Sequence, residues 1–277
     1  MNVLLWNTNS LSSFSTRLED ITSLLNGGSQ SFNFLVDVLV LCETKTPLNL
    51  AVGSTGLYVP RNWHLFGASA SSNRSGGVAV LVSSSLLRSF IVDDIPPPYS
   101  RSPYPDVSWV SFQKRKSCDH RFSHFPPKFL LCALYLRPDQ SPDLKSYRTG
   151  LQGLEDSLRA AQGIDSLPFF IIGDLNACSR TLTNQPQAPR PLRREQALLD
   201  RMASLDLGLP DFSPCDLTSD DARKKGSYFG HRGKSTRLID LALVGGLPLE
   251  PSPTGHCRAP HPDFLRINRL HHAHLKL

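Results

Sequence analysis

Short runs of apolar residues recur along the chain, each bounded by polar or turn-forming residues. Their lengths and their content of Val, Ile, Leu and Phe are typical of buried β-strands, and most are too short for helices. The runs lie at 2–7, 37–43, 76–83, 107–112, 128–136, 168–174 and 237–244. The pattern therefore predicts that strands form most of the core.

A second pattern places apolar side chains every three or four residues, which is the spacing of one helical face. It occurs at 15–25, 146–161 and 193–205, where Leu, Ile or Met form the stripe. Strands with a few intervening helices indicate a layered α/β protein, with sheets packed together and helices outside. Because no linker separates two complete patterns, we expect a single main domain.

Some segments are too rich in proline for regular structure, since proline cannot donate a backbone hydrogen bond. Loops are therefore predicted at 93–106, 121–128 and 183–194. Arg190, Arg193 and Arg194 make the last of these basic, and the run FQKRK at 112–116 is basic as well. Such residues either follow a phosphate backbone or form ordinary solvated surface, and the sequence leaves both interpretations open.

Composition narrows the class of protein only modestly. The 277 residues are 40% hydrophobic and 19% charged, which is ordinary for a globular protein. The formal net charge of +6 favours a polyanionic partner such as nucleic acid, although weakly. No apolar run reaches the roughly 18 residues needed to cross a bilayer, so we expect no membrane partner. Asn7 and Asn9 interrupt the first apolar run, which we interpret as a strand and not as a secretory signal.

Cysteine usage favours a reduced, intracellular protein. None of the six cysteines forms a C-x-x-C pair, and Cys42 and Cys132 lie within apolar runs. A zinc site built from Cys118, His120 and His124 is the alternative to a solvated loop at that point. The spacing of known zinc sites favours the loop.

Polar side chains follow several apolar runs at their carboxyl ends. They are Asn7 and Asn9, Glu43 and Lys45, Tyr135 and Arg137, and Asp174 and Asn176, and Asp240 lies inside an apolar run. Residues two apart on a strand share a face, so each pair can point into one cleft. Any single pair fits a strand-end turn equally well, with Gly173 favouring a turn before Asp174. An unpaired carboxylate among aliphatic side chains costs several kcal/mol, so the whole set favours a shared site.

This set of side chains suits phosphodiester hydrolysis. Mg²⁺ takes oxygen ligands, typically one or two carboxylates with water and substrate phosphate completing the shell. The metal stabilises charge on the phosphoryl oxygens, and a second carboxylate can orient or deprotonate the attacking water. Neutral donors such as Asn, Tyr and His stabilise the developing negative charge without competing for the metal.

The order of these motifs is more specific than any one of them. WN, ETK, GGVAVLV, LYLRP, GDLNA and RLIDLAL follow one another between residues 2 and 244. In this order they resemble the endonuclease/exonuclease/phosphatase superfamily, and most of all the apurinic-type endonuclease domains of non-LTR retrotransposons. The resemblance implies a DNase I-like fold, a four-layer α/β sandwich of two packed mixed β-sheets flanked by helices. We place that domain at 1–265, followed by a C-terminal tail at 266–277.

The resemblance also implies ligands for the metal and contacts for the substrate. Glu43 would be the principal ligand of Mg²⁺, with Mn²⁺ as the alternative metal, and Asn7 would lie beside it. Asn9, Lys45 and Arg137 would contact the substrate, with Asn9 close to the metal ligands and Lys45 near the metal site.

The reacting groups are implied in the same way. Tyr135 would bind or polarise the scissile phosphate. Asp174 would position or activate the attacking water with the help of Asn176. Asp240 would orient a catalytic histidine and support its positive charge.

The identity of that histidine is open, because the family closes its site with Ser-Asp-His and this chain has no such motif. His256 follows Gly255 where the acidic residue belongs, and His261 precedes Asp263. We favour His256 for its local sequence, GHCRAP, while a third interpretation is that neither histidine reaches the site. If neither histidine reaches the site, the phosphate or water contact that such a histidine makes is lost, and one such contact commonly contributes ~10²–10³ to the rate.

We therefore expect a Mg²⁺-dependent DNA endonuclease that hydrolyses a phosphodiester by metal-stabilised in-line attack of water. DNA is the expected partner, no obligate protein partner is inferred, and the location would be nuclear if the chain derives from a retroelement. The alternatives are a phosphoesterase of the same fold acting on a small phosphate ester, and a catalytically impaired domain that binds nucleic acid without cutting it.

Overall fold

The computed structural model describes the chain in separate stretches. It covers residues 1–7, 36–44, 62–69, 76–95, 106–138, 141, 143–163, 166–177, 193–210, 228–229, 236–237, 240–246, 250–251, 257–259 and 266–270. Within these residues, no helix is both long and apolar enough to cross a membrane.

Fifteen strands and three helices lie within the described residues. The strands are β1 (Asn2–Asn7), β2 (Val38–Cys42), β3 (Trp63–Ser69), β4 (Val78–Ser83), β5 (Phe90–Ile95), β6 (Val107–Lys114), β7 (Lys128–Tyr135), β8 (Phe169–Asp174), β9 (Leu209–Pro210), β10 (Tyr228–Phe229), β11 (Thr236–Arg237), β12 (Asp240–Gly245), β13 (Glu250–Pro251), β14 (Cys257–Ala259) and β15 (Arg266–Leu270). The helices are α1 (Ser84–Leu87), α2 (Lys145–Gln162) and α3 (Arg193–Ser204), and a 3₁₀ turn spans His120–Phe122.

Two mixed five-stranded sheets have closely similar plans. The first has the order β15-β1-β2-β4-β3, with β1 parallel to both β15 and β2 and the remaining pairs antiparallel. The second has the order β12-β8-β7-β6-β5, with β7 parallel to β8 and the remaining pairs antiparallel. Each sheet therefore contains a central parallel pair, β1–β2 in one and β7–β8 in the other.

The two sheets pack face to face over one apolar cluster, and α2 and α3 cover the far side of the second sheet. Alternate residues of each strand divide between the two faces, as the pleat of a sheet requires. The cluster between the sheets includes Val3, Leu5, Val40, Val80, Phe112, Leu131, Phe170 and Ile172. The outer cluster joins the second sheet to α2 and α3 through Leu130, Cys132, Leu151, Leu154, Leu158, Leu198 and Met202.

These layers confirm the predicted α/β sandwich. The predicted strands at 2–7, 37–43, 76–83, 107–112, 128–136 and 168–174 are β1, β2, β4, β6, β7 and β8, and the run at 237–244 supplies most of β12. The predicted helices at 146–161 and 193–205 are α2 and α3. The predicted helix at 15–25 lies outside the described residues.

Three strands at sheet edges, β3, β5 and β15, were missed because they lack long apolar runs. The proposed loop at 93–106 is wrong over its first three residues, since Asp93 to Ile95 complete β5 and pair with β6. Buried Phe90 and Val92 alternate there with exposed Ile91 and Asp93, which is the pattern of a half-exposed edge strand. In the segment 266–277 that we assigned to a tail, β15 pairs in parallel with β1.

Candidate active site

Four of the predicted site residues meet where the parallel strands of both sheets end. Asn7 ends β1, Glu43 directly follows β2, Tyr135 ends β7 and Asp174 ends β8. Asn7 Nδ2 donates a hydrogen bond of 2.8 Å to Asp174 Oδ2. The hydroxyl of Tyr135 donates one of 2.6 Å to Glu43 Oε1. Both bonds cross from the first sheet to the second, so these four residues form one cluster, called here the cross-sheet cluster.

Strand alternation explains why polar groups meet at this point. On β1, Asn7 is in phase with Val3 and Leu5, which belong to the core between the sheets. On β8, Asp174 is in phase with Phe170 and Ile172 of the same core. The apolar interface between the sheets therefore ends in polar side chains at the carboxyl edge, where open α/β sheets characteristically bind ligands.

The strand after Asp174 does not continue, contrary to the reasoning that placed Asp174 and Asn176 on one extended face. Asn176 has φ 46°, in the left-handed region that asparagine tolerates. Its backbone N–H donates to Asp174 Oδ1 at 2.9 Å, and its Nδ2 donates to the Leu136 carbonyl at 2.8 Å. A turn, and not a strand, keeps the two side chains together.

Gly173 has a different role from the turn that we assigned to it. It lies inside β8, where a Cβ atom would overlap the backbone carbonyl oxygen of Leu134 on β7. A residue without a side chain lets the two backbones approach at this register, which positions Asp174 next to Tyr135. Within the cross-sheet cluster and its turn, positive φ angles occur at Asn176 and at Glu43, whose φ is 55°. Such backbone strain at non-glycine residues is frequent at functional sites.

Asp106 is a component of the site that the sequence reasoning missed. It is 3% exposed, and its carboxylate accepts from Gly77 N at 2.8 Å and from Arg137 Nε at 3.2 Å. Its carbonyl also accepts from the backbone N–H of Tyr135 at 2.9 Å. A Cβ on Gly76, which has φ +81°, would overlap this carboxylate. The only signal in the sequence is an acidic residue placed directly before an apolar run.

Asp106 therefore joins the two sheets beside the cross-sheet cluster and orients Arg137. The Arg137 side chain remains 41% exposed, so its guanidinium is accessible at the rim of the site. On the other side, the Gly77 carbonyl accepts from Thr44 N at 3.2 Å, which fixes the backbone next to Glu43. One continuous set of hydrogen bonds thus links Arg137 to the backbone of Thr44, the residue after Glu43.

Electrostatics keep the Tyr135 hydroxyl protonated. Burial is the largest cause that raises the pKa of Tyr135 far above its ordinary value, followed by the charge of Glu43 and its hydrogen bond, and then by Asp174 and Asp106. The phenol is consequently a neutral hydrogen-bond donor over the whole physiological range. It can donate to an anionic oxygen without carrying charge of its own.

The oxygen donors of the cluster fit a hard divalent cation. Glu43 and Asp174 supply carboxylates, and Asn7 has an amide oxygen in addition to the Nδ2 group that donates to Asp174. Mg²⁺ characteristically uses one or two carboxylates and completes its shell with water and substrate phosphate. Among the described residues, no group of three or more His, Cys, Asp or Glu side chains could hold a metal ion by itself. The carboxylate and amide oxygens of the cluster are ligands of the type that Mg²⁺ takes together with a phosphate substrate.

The remaining predicted site residues are located only in part. Asn9, Lys45, His256 and His261 lie outside the described residues, as does Arg190. Asp240 begins β12, and its backbone pairs in register with Asp174.

The two basic segments of the sequence, 193–194 and 112–116, lie in different parts of the fold. Arg193 and Arg194 begin α3, and the charge of Arg194 acts on Tyr147, whose hydroxyl donates to the Leu175 carbonyl beside Asp174. The segment 112–116 lies at the opposite end of the second sheet, because β6 runs antiparallel to β7.

Comparison with known proteins identifies the family. Residues 4–267 match the model of the Endonuclease/Exonuclease/phosphatase family. The chain belongs to this family. The members of the endonuclease/exonuclease/phosphatase family are phosphoesterases that generally use divalent metals, in agreement with the donor chemistry of the cross-sheet cluster. No curated protein matches the chain.

Solved structures of the same fold include nucleases. An AP endonuclease from Leishmania major has a TM-score of 0.57 and 16% identity, over 91% of this chain and 84% of that one. A 3′-5′ exonuclease from Neisseria meningitidis has a TM-score of 0.53 and 18% identity, over 92% and 96% of the two chains. A second structure of this Neisseria protein, described as a 3′ phosphatase and bound to a product DNA hairpin, has a TM-score of 0.51 and 18% identity, over 92% and 96%. At these identities the likeness establishes the fold.

Proposed function

We propose that this chain is a Mg²⁺-dependent DNA endonuclease of the apurinic type found in retrotransposons. The observation that carries the proposal is the cross-sheet cluster, in which Asn7 bonds Asp174 and Tyr135 bonds Glu43 at the carboxyl edge of both sheets. A location in the nucleus would follow from the retroelement origin.

In this proposal Glu43 and Asn7 hold Mg²⁺, with Mn²⁺ as the alternative. When bound, the metal supplies positive charge to the phosphoryl oxygens and the leaving oxygen. The Tyr135 hydroxyl donates to a non-bridging oxygen of the scissile phosphate, and Arg137, oriented by Asp106, pairs with the substrate backbone. Lys45 and Asn9 would add further contacts to the substrate.

Asp174 acts on the water nucleophile. Its two oxygens accept from Asn7 Nδ2 and Asn176 N, and this arrangement fixes the carboxylate while leaving it able to accept a proton. The water oxygen forms a bond to phosphorus as the bond to the leaving oxygen breaks, and the water proton passes to Asp174. His256, oriented by Asp240, would donate to the phosphate in the same step.

DNA is the substrate class that the known structures favour. The AP endonuclease and the Neisseria exonuclease both act on nucleic acid, the second structure of the Neisseria protein holds a DNA hairpin, and all three structures exceed a TM-score of 0.5. A small phosphate ester and binding without cleavage are outcomes that the following experiment distinguishes.

The decisive measurement is nicking of supercoiled plasmid in the presence of Mg²⁺. We expect nicking that a chelator abolishes and that Glu43→Gln and Asp174→Asn each reduce by ~10²-fold or more. Asp93→Asn is the matched control, because it removes an exposed carboxylate on β5, away from the cross-sheet cluster.

Nicking that survives both substitutions in the cluster would refute the assignment. A chain that retards plasmid without cutting it would be a binding domain. One that ignores plasmid but releases phosphate from a soluble ester would be a small-molecule phosphoesterase.

A further inference from the structure

The connection between β6 and β7 forms a basic surface at the end of the sandwich opposite the cross-sheet cluster. The exposed side chains of Arg88, Arg115, Lys116 and Lys128 define this surface, which we call the basic end surface, with His120 and His124 beside them. Lys128 and Tyr135 are the two ends of β7. At about 3.3 Å per residue, the strand separates this surface from the active site by roughly 23 Å.

Several hydrogen bonds fix the connection in place. Lys114 Nζ donates to the carbonyls of Ser123 at 2.7 Å and Phe125 at 3.0 Å. Arg115 Nε donates to the carbonyls of Leu87 at 3.1 Å and Phe90 at 3.3 Å, so the β6–β7 connection is bonded to the turn that carries Arg88. The charges are therefore presented on a preorganised surface.

The hydrophobic core anchors the same connection. Phe122 and Phe125 are buried, and their rings contact Phe90 edge to face at centroid distances of 5.4 and 5.7 Å. Arg121, which directly precedes Phe122, forms an ion pair with buried Asp37, the residue before β2. The aromatic side chains thus lie in the interior, and the exposed residues of the connection are charged or polar apart from Pro127. They include one carboxylate, Asp119, which pairs with His120 and Arg121.

The nature of the exposed groups selects the partner. Base stacking relies chiefly on exposed Phe, Tyr or Trp rings, and Phe122 and Phe125 are buried, which disfavours single-stranded nucleic acid. Protein interfaces are built around buried aromatic or aliphatic anchors, and Ile91 is the only large hydrophobic residue exposed within the described part of the chain. Within that part, no ion pair is recorded for Arg88, Lys116 or Lys128. Paired phosphates of a duplex backbone fit such a surface.

We propose that the basic end surface binds the phosphate backbone of double-stranded nucleic acid, separately from the active-site cleft. The two contacts lie at opposite ends of one rigid sandwich, so one chain would hold a second duplex segment while the cleft acts on the first. This contact is independent of base sequence, because it involves charge alone.

The test uses the full chain with Arg88→Gln, Lys116→Gln and Lys128→Gln combined. Arg115 is left intact because it donates to the backbone of the α1–β5 turn. The control combines Arg88→Lys, Lys116→Arg and Lys128→Arg, which keeps every charge. Binding to a labelled duplex is measured by anisotropy in a chelator, over a range of salt concentrations.

Loss of three phosphate contacts should make the slope of log K against log salt shallower by about 2.7, at about 0.9 per contact. Across a fourfold rise in salt, wild type should therefore lose about fortyfold more affinity than the neutral variant, and the charge-keeping variant should behave as wild type. In plasmid nicking, the neutral variant should show a raised KM with unchanged kcat.

The proposal would be overturned if the neutral variant unfolds at the wild-type temperature and its salt slope is unchanged. An acidic protein would then be the better candidate partner for this surface. An equal loss in the charge-keeping variant would overturn it as well, because charge would then not be the cause. Binding in chelator needs no catalysis, so failure of the wild type to nick DNA would count against the proposed function without affecting this test.

Discussion

Replacing Tyr135 with phenylalanine tests the cross-sheet cluster most directly, because it removes one hydroxyl and little else. The hydroxyl donates to Glu43 at 2.6 Å, and the ring itself is 4% exposed within the core between the sheets. Tyr135→Phe keeps the packing of the ring. It removes the hydroxyl that donates to the Glu43 carboxylate and that, in the proposed mechanism, donates to the phosphate.

Two magnitudes follow for activity and stability. A single preorganised donor to developing charge is worth ~10²–10³ in kcat, so nicking should fall by that factor. A hydrogen bond to a charged acceptor contributes about 1.5–3 kcal/mol to the free energy of unfolding. Glu43 is partly exposed and water can replace the hydroxyl, so we expect a loss near the lower of these values.

The pH dependence supplies a third, independent magnitude. The pKa of Tyr135 is raised in the folded chain, chiefly by burial, whereas the unfolded residue titrates near its ordinary value of about 10. Above about pH 10 the unfolded chain releases a proton that the folded chain retains, so the free energy of unfolding decreases as pH rises. Below that pH the contribution of Tyr135 is complete. Between about pH 8 and pH 11, the free energy of unfolding should decrease by about 1.4 kcal/mol more in wild type than in Tyr135→Phe.

Urea unfolding at the two pH values and plasmid nicking at neutral pH measure these effects. Tyr147→Phe is the matched control, since Tyr147 is also buried with a raised pKa but donates to the Leu175 carbonyl outside the cluster. It should lose stability and the alkaline dependence while keeping most of its activity. Wild-type nicking by Tyr135→Phe, or an alkaline loss as large as that of wild type, would refute this account of the site.

Three further substitutions probe the supports of the site. Gly173→Ala forces a Cβ against the Leu134 carbonyl and should cost about 3 kcal/mol in urea unfolding; a loss below about 0.5 kcal/mol would contradict the close approach of the two strands. Gly76→Ala, at φ +81°, should lower the thermal stability more than Gly163→Ala, at φ +57° with open space around it, because only the Cβ at position 76 also overlaps Asp106. Equal losses of thermal stability in the two variants would show that the overlap is unimportant. Asp106→Asn should raise KM for plasmid more than it lowers kcat, because it releases Arg137, and an unchanged KM would exclude that positioning role.

Local patterns in the sequence were sufficient to predict the buried strands and the layered fold of this protein. Apolar runs such as 128–136 and 168–174 mark strands that are buried on both faces, since each is covered by a sheet on one side and helices on the other. The edge strand β5 escaped, because one of its faces is exposed and its sequence alternates with Asp93 and Asp94. The motif order in the same sequence was enough to indicate the family, because the motifs include the residues that end the central strands.

The sequence by itself thus determined the layered α/β fold and proposed a carboxyl-edge site containing Asn7, Glu43, Tyr135 and Asp174. Only the tertiary structure decided how these residues pair, because both bonds in the cluster cross between sheets whose strands are far apart along the chain. It also revealed Asp106, whose partners Gly77 and Arg137 come from different sheets. Finally, it separated the basic segment 112–116 from the active site, because an antiparallel neighbour reverses direction and carries its end to the opposite edge.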